Sequence, residues 1–235
     1  MLDKGMSPVE LSQLLTQGGA YVDIAKVGWG IGYIDPTISE RVEMYAAAGV
    51  VVTLGGTFFE ICAAQGRLAE MRRWAAGLGI HAVEVSDGLQ RLGPRRKAEL
   101  IRELAADFVV LAETGAKSDD APVVTREWIA ELESDLEAGA TWLIAEGRES
   151  GSVGLYHADG QARDDLVEEI AARLPVDKVI FEAPRKAQQV AFVRRFGADV
   201  GLGNIPPEEV LSLETIRLGL RADTALADFP DGAAT

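Results

Sequence analysis

The chain has 235 residues, and 37 acidic against 23 basic side chains give it a formal net charge of −14. This acidity argues against binding to nucleic acid or to an anionic membrane, since both need a basic protein surface. No apolar run approaches the ~20 residues that cross a bilayer, and the chain does not open with a signal-peptide pattern. The one cysteine, Cys62, excludes an internal disulfide and suits a reducing compartment, so we expect a cytoplasmic protein.

Short β-rich apolar runs recur along the chain, and helical stretches separate them. The runs are nearly continuous rather than alternating, which is typical of parallel strands that are buried on both faces. Several of them follow a glycine, and these glycines recur at multiples of roughly 30 residues, the length of a βα unit. Seven runs are clear, and they begin at Tyr21, Val50, Ala82, Phe108, Trp142, Val179 and Asp199.

Amphipathic patterns predict helices between these runs. The clearest cover residues 40–48, 67–76, 125–138 and 207–218. Thr125 is a candidate N-cap, because its hydroxyl can accept a hydrogen bond from an unpaired backbone N–H of the first turn. Pro207 suits a first helical turn, where its missing N–H is not needed.

An eighth strand is indicated at the start, where Met1-Leu-Asp-Lys-Gly5 resembles the end of a strand whose beginning is missing. Either the fold tolerates a short first strand, or translation begins upstream of Met1. Eight units in this length predict one (β/α)₈ TIM barrel over residues 1–235, with a short or truncated first strand and a flexible tail at 226–235. A doubly wound open sheet is the alternative, because periodicity alone does not exclude it.

Charged residues lie inside or at the ends of the apolar runs, where a buried strand ought to be apolar. They are Lys26, Glu84, Asp87, Glu113, Glu146 and Glu182. The last three occupy equivalent late positions on three successive strands, and the carboxyl ends of the strands form the active-site mouth of such barrels. Because Mg²⁺ prefers carboxylate oxygens, we expect these glutamates to bind it. A structural ion-pair network with Lys26 and Arg148 is the alternative.

Cations follow the strands as well. They are Lys4, Lys117, Arg148, Arg185 and Lys186. An acidic protein that gathers cations at one mouth is expected to hold an anionic small molecule.

Nine short phrases then carry a family resemblance through their shared order and spacing. They are Asp3-Lys-Gly5, Lys26-Val-Gly-Trp-Gly30, Gly55-Gly-Thr-Phe-Phe-Glu60, Glu84-Val-Ser-Asp-Gly88, Glu113-Thr-Gly-Ala-Lys117, Glu146-Gly-Arg-Glu-Ser-Gly151, Phe181-Glu-Ala-Pro-Arg-Lys-Ala-Gln-Gln189, Leu211-Ser-Leu-Glu-Thr215 and Gly219-Leu-Arg-Ala-Asp-Thr224. On these phrases the chain resembles the phosphosulfolactate synthase family over nearly its whole length.

The resemblance implies a (β/α)₈ barrel that uses Mg²⁺ to add sulfite to phosphoenolpyruvate, giving (2R)-phospho-3-sulfolactate. In methanogens this is an early step toward coenzyme M, and family members elsewhere serve other sulfonate pathways. Two other functions stay open: a non-catalytic relative, like the plant heat-stress proteins that resemble this family, or a barrel enzyme that adds a different nucleophile to phosphoenolpyruvate. The charged mouth favours catalysis. We also expect a homo-oligomer.

The resemblance also implies roles for individual residues. Lys117 is the expected general acid that protonates C2 of the substrate, and Lys26 and Lys4 complete the catalytic set. The residues expected to bind substrate are Arg148, Arg185, Lys186, Gly55, Gly56, Ser86 and Asn204. The chain departs from its relatives at Leu89-Gln-Arg91, where they tend to carry small hydroxyl residues, and at Gly201, where asparagine is common. These departures affect the choice of nucleophile more than the class of reaction.

Overall fold

The strands form a (β/α)₈ barrel in the computed structural model, which describes residues 1–115 and 122–225. All strands of the eight-stranded sheet are parallel and follow one another in chain order, so the barrel prediction is confirmed and the doubly wound alternative is wrong. The strands are Leu2–Asp3 (β1), Ile24–Val27 (β2), Val51–Leu54 (β3), Ala82–Ser86 (β4), Val109–Thr114 (β5), Trp142–Ala145 (β6), Val179–Glu182 (β7) and Gly201–Gly203 (β8). The predicted tail at 226–235 lies outside the described residues.

The helices that alternate with the strands are Pro8–Gly18 (α1), Ile31–Ile34 (α2), Ile38–Ala47 (α3), Gly56–Ala64 (α4), Leu68–Gly77 (α5), Pro94–Leu104 (α6), Thr125–Glu137 (α7), Asp164–Arg173 (α8), Lys186–Phe196 (α9) and Val210–Arg217 (α10). The helix predicted over 207–218 divides into a 3₁₀ turn, Pro207–Glu209, and α10. The N-cap prediction is wrong, because Val124 precedes α7 and the Thr125 hydroxyl donates to Asp165 instead. Among the described helices, none combines the length and apolar character that crossing a bilayer requires.

Two layers of side chains fill the barrel interior. The lower layer is apolar and centres on Ala82, Leu111 and Ile144. Side chains two residues apart on a strand point to the same face, so the next inward positions on β4 and β5 are Glu84 and Glu113. The main hydrophobic core lies outside the barrel, between the strands and the helices. The sheet therefore carries its charges inward, at the carboxyl end.

The first strand is only two residues long, and few backbone hydrogen bonds hold it. Its neighbour Met1 donates from its amino group to Ile24 O at 2.9 Å, while Leu2 N donates to Ile205 O at 2.9 Å and joins β1 to the segment after β8. Asp3 supplies a second anchor. Its buried carboxylate accepts hydrogen bonds from Arg41 and from the Tyr45 hydroxyl, both on α3. Side-chain contacts therefore fix the end of this strand, where the ladder is short.

A cavity of about 1260 Å³ opens at the amino end of the barrel, beneath the charged layer. Its lining includes the partly exposed apolar side chains Ile24, Trp142 and Ile180, which belong to the lower interior layer. The Met1 amino group lies here too, and burial together with the charge of Lys26 lowers its pKa to about 5, against a smaller effect of Asp23.

We predict that a short run of valines added before Met1 raises the thermal midpoint by about 5 °C, because it buries apolar surface and extends the β1 ladder. A serine extension of equal length is the matched control. Between pH 8 and 5 the Met1 amine is protonated when the chain is unfolded and neutral when it is folded, so the unextended chain loses stability as the pH falls. The advantage of both extended chains therefore grows toward pH 5. Equal midpoints for all three chains would contradict this account.

Candidate active site

A buried cluster of charges closes the floor of the barrel mouth. Lys26 on β2 crosses the interior, and its Nζ lies 2.7 Å from Glu182 Oε1, 3.3 Å from Glu84 Oε2 and 4.0 Å from Glu113 Oε2. Burial alone would lower the pKa of Lys26, but the three carboxylates outweigh it and raise that pKa well above its usual value. Lys26 is therefore a charged ammonium at any physiological pH.

Glu84 holds a proton more readily than an ordinary carboxyl group does. Burial, reinforced by Glu113 and Glu182 and opposed by Lys26, raises the pKa of Glu84 to about 8. At neutral pH most molecules therefore carry a proton on this side chain. Its Oε1 also accepts a hydrogen bond from Gly56 N at 3.0 Å, which ties the start of α4 to β4.

The turn after β6 folds around the carboxylate of Glu182. Gly147 N and Arg148 N donate to Glu182 Oε2 at 2.9 and 2.8 Å, and Arg148 N also lies 3.0 Å from Glu146 Oε1. Farther along, Leu155 N donates to the carbonyl oxygen of Glu146, where the backbone of Gly154 passes so close that no side chain would fit. The turn thus takes its shape from two carboxylates at the mouth.

Glu113, Glu146 and Glu182 form the predicted metal-binding set. All three are buried, and each offers a carboxylate oxygen within 4.8 Å of the others. Lys26 pairs with Glu84, Glu113 and Glu182, and Glu146 lies beside the last two, so a divalent cation would offset an excess of negative charge. An all-oxygen donor set of this kind fits Mg²⁺. The binding of the ion itself stays a prediction.

A pocket with a volume of about 100 Å³ lies above these carboxylates. Gly55, Gly56 and Thr57, at the amino end of α4, form one side of it, where the helix dipole favours an anion. Gly56 admits no larger residue, because a Cβ there would overlap the Ser86 hydroxyl. The side of the pocket at α4 is therefore suited to bind an anionic group.

Three further lining residues have a left-handed backbone, which L-amino acids rarely adopt. Trp29 has a φ of 50°, while Arg148 and Asn204 each have a φ of 55°. Asn204 is buried, and its Oδ1 has no hydrogen-bond partner among the described residues. A buried amide without a partner in the wall of a pocket is suited to bind a polar group of a ligand.

The remaining predicted residues among those described do not line this pocket. Lys4 is exposed and its Nζ lies 2.9 Å from Glu149 Oε2, while Lys186, at the start of α9, lies 2.5 Å from Asp223 Oδ2. Arg185 is exposed beside Lys186, and Ser86 is fully buried with its hydroxyl donating to Glu60. None of these four lines the pocket, whereas Lys26, Gly55, Gly56, Arg148 and Asn204 do. Lys117 lies outside the described residues, and the roles of all these residues stay predictions.

Sequence reasoning assigned no role to six of the lining residues, which are Leu2, Gly28, Trp29, Thr57, Glu84 and Glu149. A pattern in the sequence could have revealed Glu84. On several strands an inward apolar residue is followed two positions later by a charged one, as in Ile24 and Lys26 or Ala82 and Glu84. This alternation assigns Glu84 to the same layer as Lys26 and Glu113.

The comparison with known families decides the relationship. The model of the (2R)-phospho-3-sulfolactate synthase family matches residues 1–223. The chain belongs to this family. Phosphosulfolactate synthases of Methanothermobacter thermautotrophicus and Methanocaldococcus jannaschii are 41% and 39% identical to it, over 95% of this chain and 89% and 92% of theirs. That of Bacillus subtilis is 33% identical over 95% of this chain and 90% of its own.

Two solved structures that carry another enzyme name share the barrel fold. A 3-hexulose-6-phosphate synthase superposes with a TM-score of 0.57 at 15% identity, covering 92% of this chain and 97% of that one. The corresponding protein of Salmonella typhimurium gives 0.53 at 16% identity, covering 94% and 98%. At such identities the likeness supports the barrel fold alone. The phosphosulfolactate synthase family prediction therefore stands on the sequence matches.

We predict that Lys26→Met lowers the free energy of unfolding by about 3 kcal/mol, because it leaves buried carboxylates without their cation. Urea unfolding at neutral pH measures the change. The double variant Lys26→Met with Glu182→Gln should recover part of the lost free energy of unfolding, because it also removes one of the carboxylates left without a cation. Lys178→Met, which removes a lysine next to β7 without touching this cluster, is the control. An unchanged urea midpoint for Lys26→Met would refute the prediction.

Proposed function

We propose that the protein adds sulfite to phosphoenolpyruvate with the help of Mg²⁺, giving (2R)-phospho-3-sulfolactate. Membership of the phosphosulfolactate synthase family supports the reaction. The observation that carries the proposal is the set of three buried glutamates at the barrel mouth, beside Lys26 and Arg148. Both substrates are anions, so they meet only where positive charge offsets their repulsion.

The reaction needs one bond, one shift of electrons and one proton. The sulfur of sulfite bonds to the methylene carbon C3, the π pair of the double bond moves to C2, and a proton is added there. When bound, Mg²⁺ supplies Lewis-acid chemistry at the substrate carboxylate, where negative charge develops. Arg148, Asn204 and the amino end of α4 line the pocket, which supports a role for them in binding the anionic groups. Lys117 is the proposed proton donor.

The first experiment is an assay of the purified protein with Mg²⁺, phosphoenolpyruvate and sulfite, in which mass spectrometry detects phosphosulfolactate. Parallel reactions replace sulfite with other small nucleophiles. Product formed only with another nucleophile would favour the second class of barrel enzyme. No product and no binding of phosphoenolpyruvate by calorimetry would favour the non-catalytic relative.

We predict that Glu146→Gln weakens Mg²⁺ binding at least about tenfold and lowers turnover, because it preserves volume but removes one of three carboxylates from the site. Calorimetric titration with Mg²⁺, without substrates, measures the affinity directly. Glu169→Gln on the outer face of α8 is the matched control and should leave both quantities unchanged. Full activity of the unaltered protein in excess chelator would overturn the role of the metal.

We predict that Lys117→Met and Arg148→Ala affect different kinetic parameters. Loss of the proton donor should reduce kcat by about a hundredfold or more and leave the affinity for phosphoenolpyruvate nearly unchanged. Loss of the Arg148 side chain, which lines the pocket, should instead raise KM for phosphoenolpyruvate. Normal turnover by Lys117→Met would show that another group donates the proton, and Lys4→Met is the next variant to assay.

The chain is further proposed to form a homo-oligomer in the cytoplasm. Exposed apolar side chains support self-association: Tyr33 and Ile34 on α2 are largely exposed, and Tyr33 packs on Phe58 and Trp74. The single cysteine agrees with a reducing compartment. Light scattering over a range of protein concentrations measures the oligomeric state.

A further inference from the structure

A second buried ion cluster lies directly behind the barrel mouth, outside the sheet. Lys97 on α6 is fully buried, and its Nζ lies 2.5 Å from Glu131 Oε1 and 2.6 Å from Asp135 Oδ2, both on α7. The same ammonium donates to the backbone oxygen of Glu113 at 2.6 Å and lies 3.4 Å from the Thr114 hydroxyl. One lysine thus joins α6, α7 and the carboxyl end of β5.

The charges of this cluster are costly to bury. Burial raises the pKa of Asp135 to about 6 in spite of the neighbouring Lys97. Asp135 Oδ1 has no hydrogen-bond partner among the described residues, so compensation is incomplete. Apolar residues of similar size often stabilise a fold as well as a buried ion pair does, whereas an ion pair fixes orientation. The arrangement therefore points to a positioning role.

Hydrogen bonds link the cluster to two of the three glutamates at the mouth. Lys97 contacts the backbone of Glu113 itself, whose carboxylate belongs to the set. The carbonyl oxygen of Thr114 accepts a hydrogen bond from Glu146 N at 3.0 Å. Gly115 follows, and it lies so close to Glu146 that a side chain there would overlap it. The position of β5 at Thr114 therefore sets the height of both glutamates.

We propose that Lys97 is a positioning residue, which holds the end of β5 so that the carboxylates of Glu113 and Glu146 face the same point. It does not line the pocket, and it acts through the end of β5, at the Glu113 carbonyl oxygen and the Thr114 hydroxyl. The inference rests on the proposed function, because the carboxylates that it aligns are those assigned to Mg²⁺. Its consequence is that turnover depends on a lysine on the outer side of the sheet, away from the pocket.

The decisive variant removes the charges together. Lys97→Met alone leaves Glu131 and Asp135 without their cation and is expected to unfold easily. The triple variant Lys97→Met, Glu131→Gln and Asp135→Asn is neutral at these positions and keeps the side chains close to their original size. Arg173→Met is the matched control, since it removes an exposed cation that pairs with Glu133 on the same helix α7.

The triple variant should keep the thermal midpoint of the unaltered protein or exceed it, while kcat falls about tenfold or more. The Mg²⁺ concentration for half-maximal activity should rise severalfold, and the Arg173→Met control should change neither quantity. If Lys97 served stability alone, the triple variant would have a different thermal midpoint. Its kcat, measured at a temperature well below that midpoint, would then be unchanged. A triple variant with full kcat and an unchanged Mg²⁺ requirement would overturn the proposal.

Amide hydrogen exchange separates this proposal from the proposed function. The Glu146 amide, which donates to Thr114 O, should exchange faster in the triple variant than in the unaltered protein and the Arg173→Met control. Lack of turnover by the unaltered protein counts against the proposed function alone. In that case hydrogen exchange still tests the positioning role. If the Glu146 amide exchanges as slowly in the triple variant as in the unaltered protein, the positioning role is refuted.

Discussion

The barrel mouth depends on one constraint, that a charge removed from water must be compensated at short range. Lys26 reaches across the barrel interior to carboxylates on β4, β5 and β7. Each of these strands must therefore end at the height where its glutamate meets the ammonium. Backbone amides complete the compensation, since Gly147 N and Arg148 N both donate to Glu182. Strand heights and loop shapes follow from the same cluster.

Two other buried cations hold strand ends from outside the sheet. Arg41 binds the carboxylate of Asp3 at the end of β1, and Lys97 binds the backbone of β5. Apolar packing resists separation of the layers but gives little resistance to sliding along them, whereas directional hydrogen bonds fix the register. A barrel mouth that is built from several strand ends needs this fixed register, because its side chains come from different strands. The two outer clusters thus fix the positions of strand ends, while the hydrophobic core holds the helices against the sheet.

The barrel, its family and the three glutamates could be predicted from the sequence, because they depend on short stretches of neighbouring residues. Strand ends can be located from apolar runs, and parallel strands place their carboxyl ends together, so Glu113, Glu146 and Glu182 had to be neighbours. Loop cations do not follow this rule. Lys4 and Lys186 reach exposed partners, Glu149 and Asp223, because loop conformation depends on contacts that the strand pattern does not contain.

Other features of the site depend on partners that are distant in the chain. The alternation along the strands assigns Glu84 to the charged layer, but its ion pair with Lys26 depends on the assembled barrel. So does its raised pKa, which comes from burial and is reinforced by Glu113. Ser86, the last residue of β4, was predicted to bind substrate, but its buried hydroxyl donates a hydrogen bond to Glu60 on α4. The N-cap assignment failed for the same reason, since Asp165 on α8 competes for the Thr125 hydroxyl.

The left-handed backbone of the pocket has a consequence for how this protein can evolve. Of the four non-glycine residues with this conformation in the described part of the chain, three line the pocket: Trp29, Arg148 and Asn204. Each costs about 1 kcal/mol that a glycine at the same position would save. Selection for heat resistance alone would therefore favour glycine at these positions and erode the pocket. Side chains at these positions would persist only if selection for ligand binding outweighed the gain in stability. The three positions would then be places where thermal stability and ligand binding favour different residues.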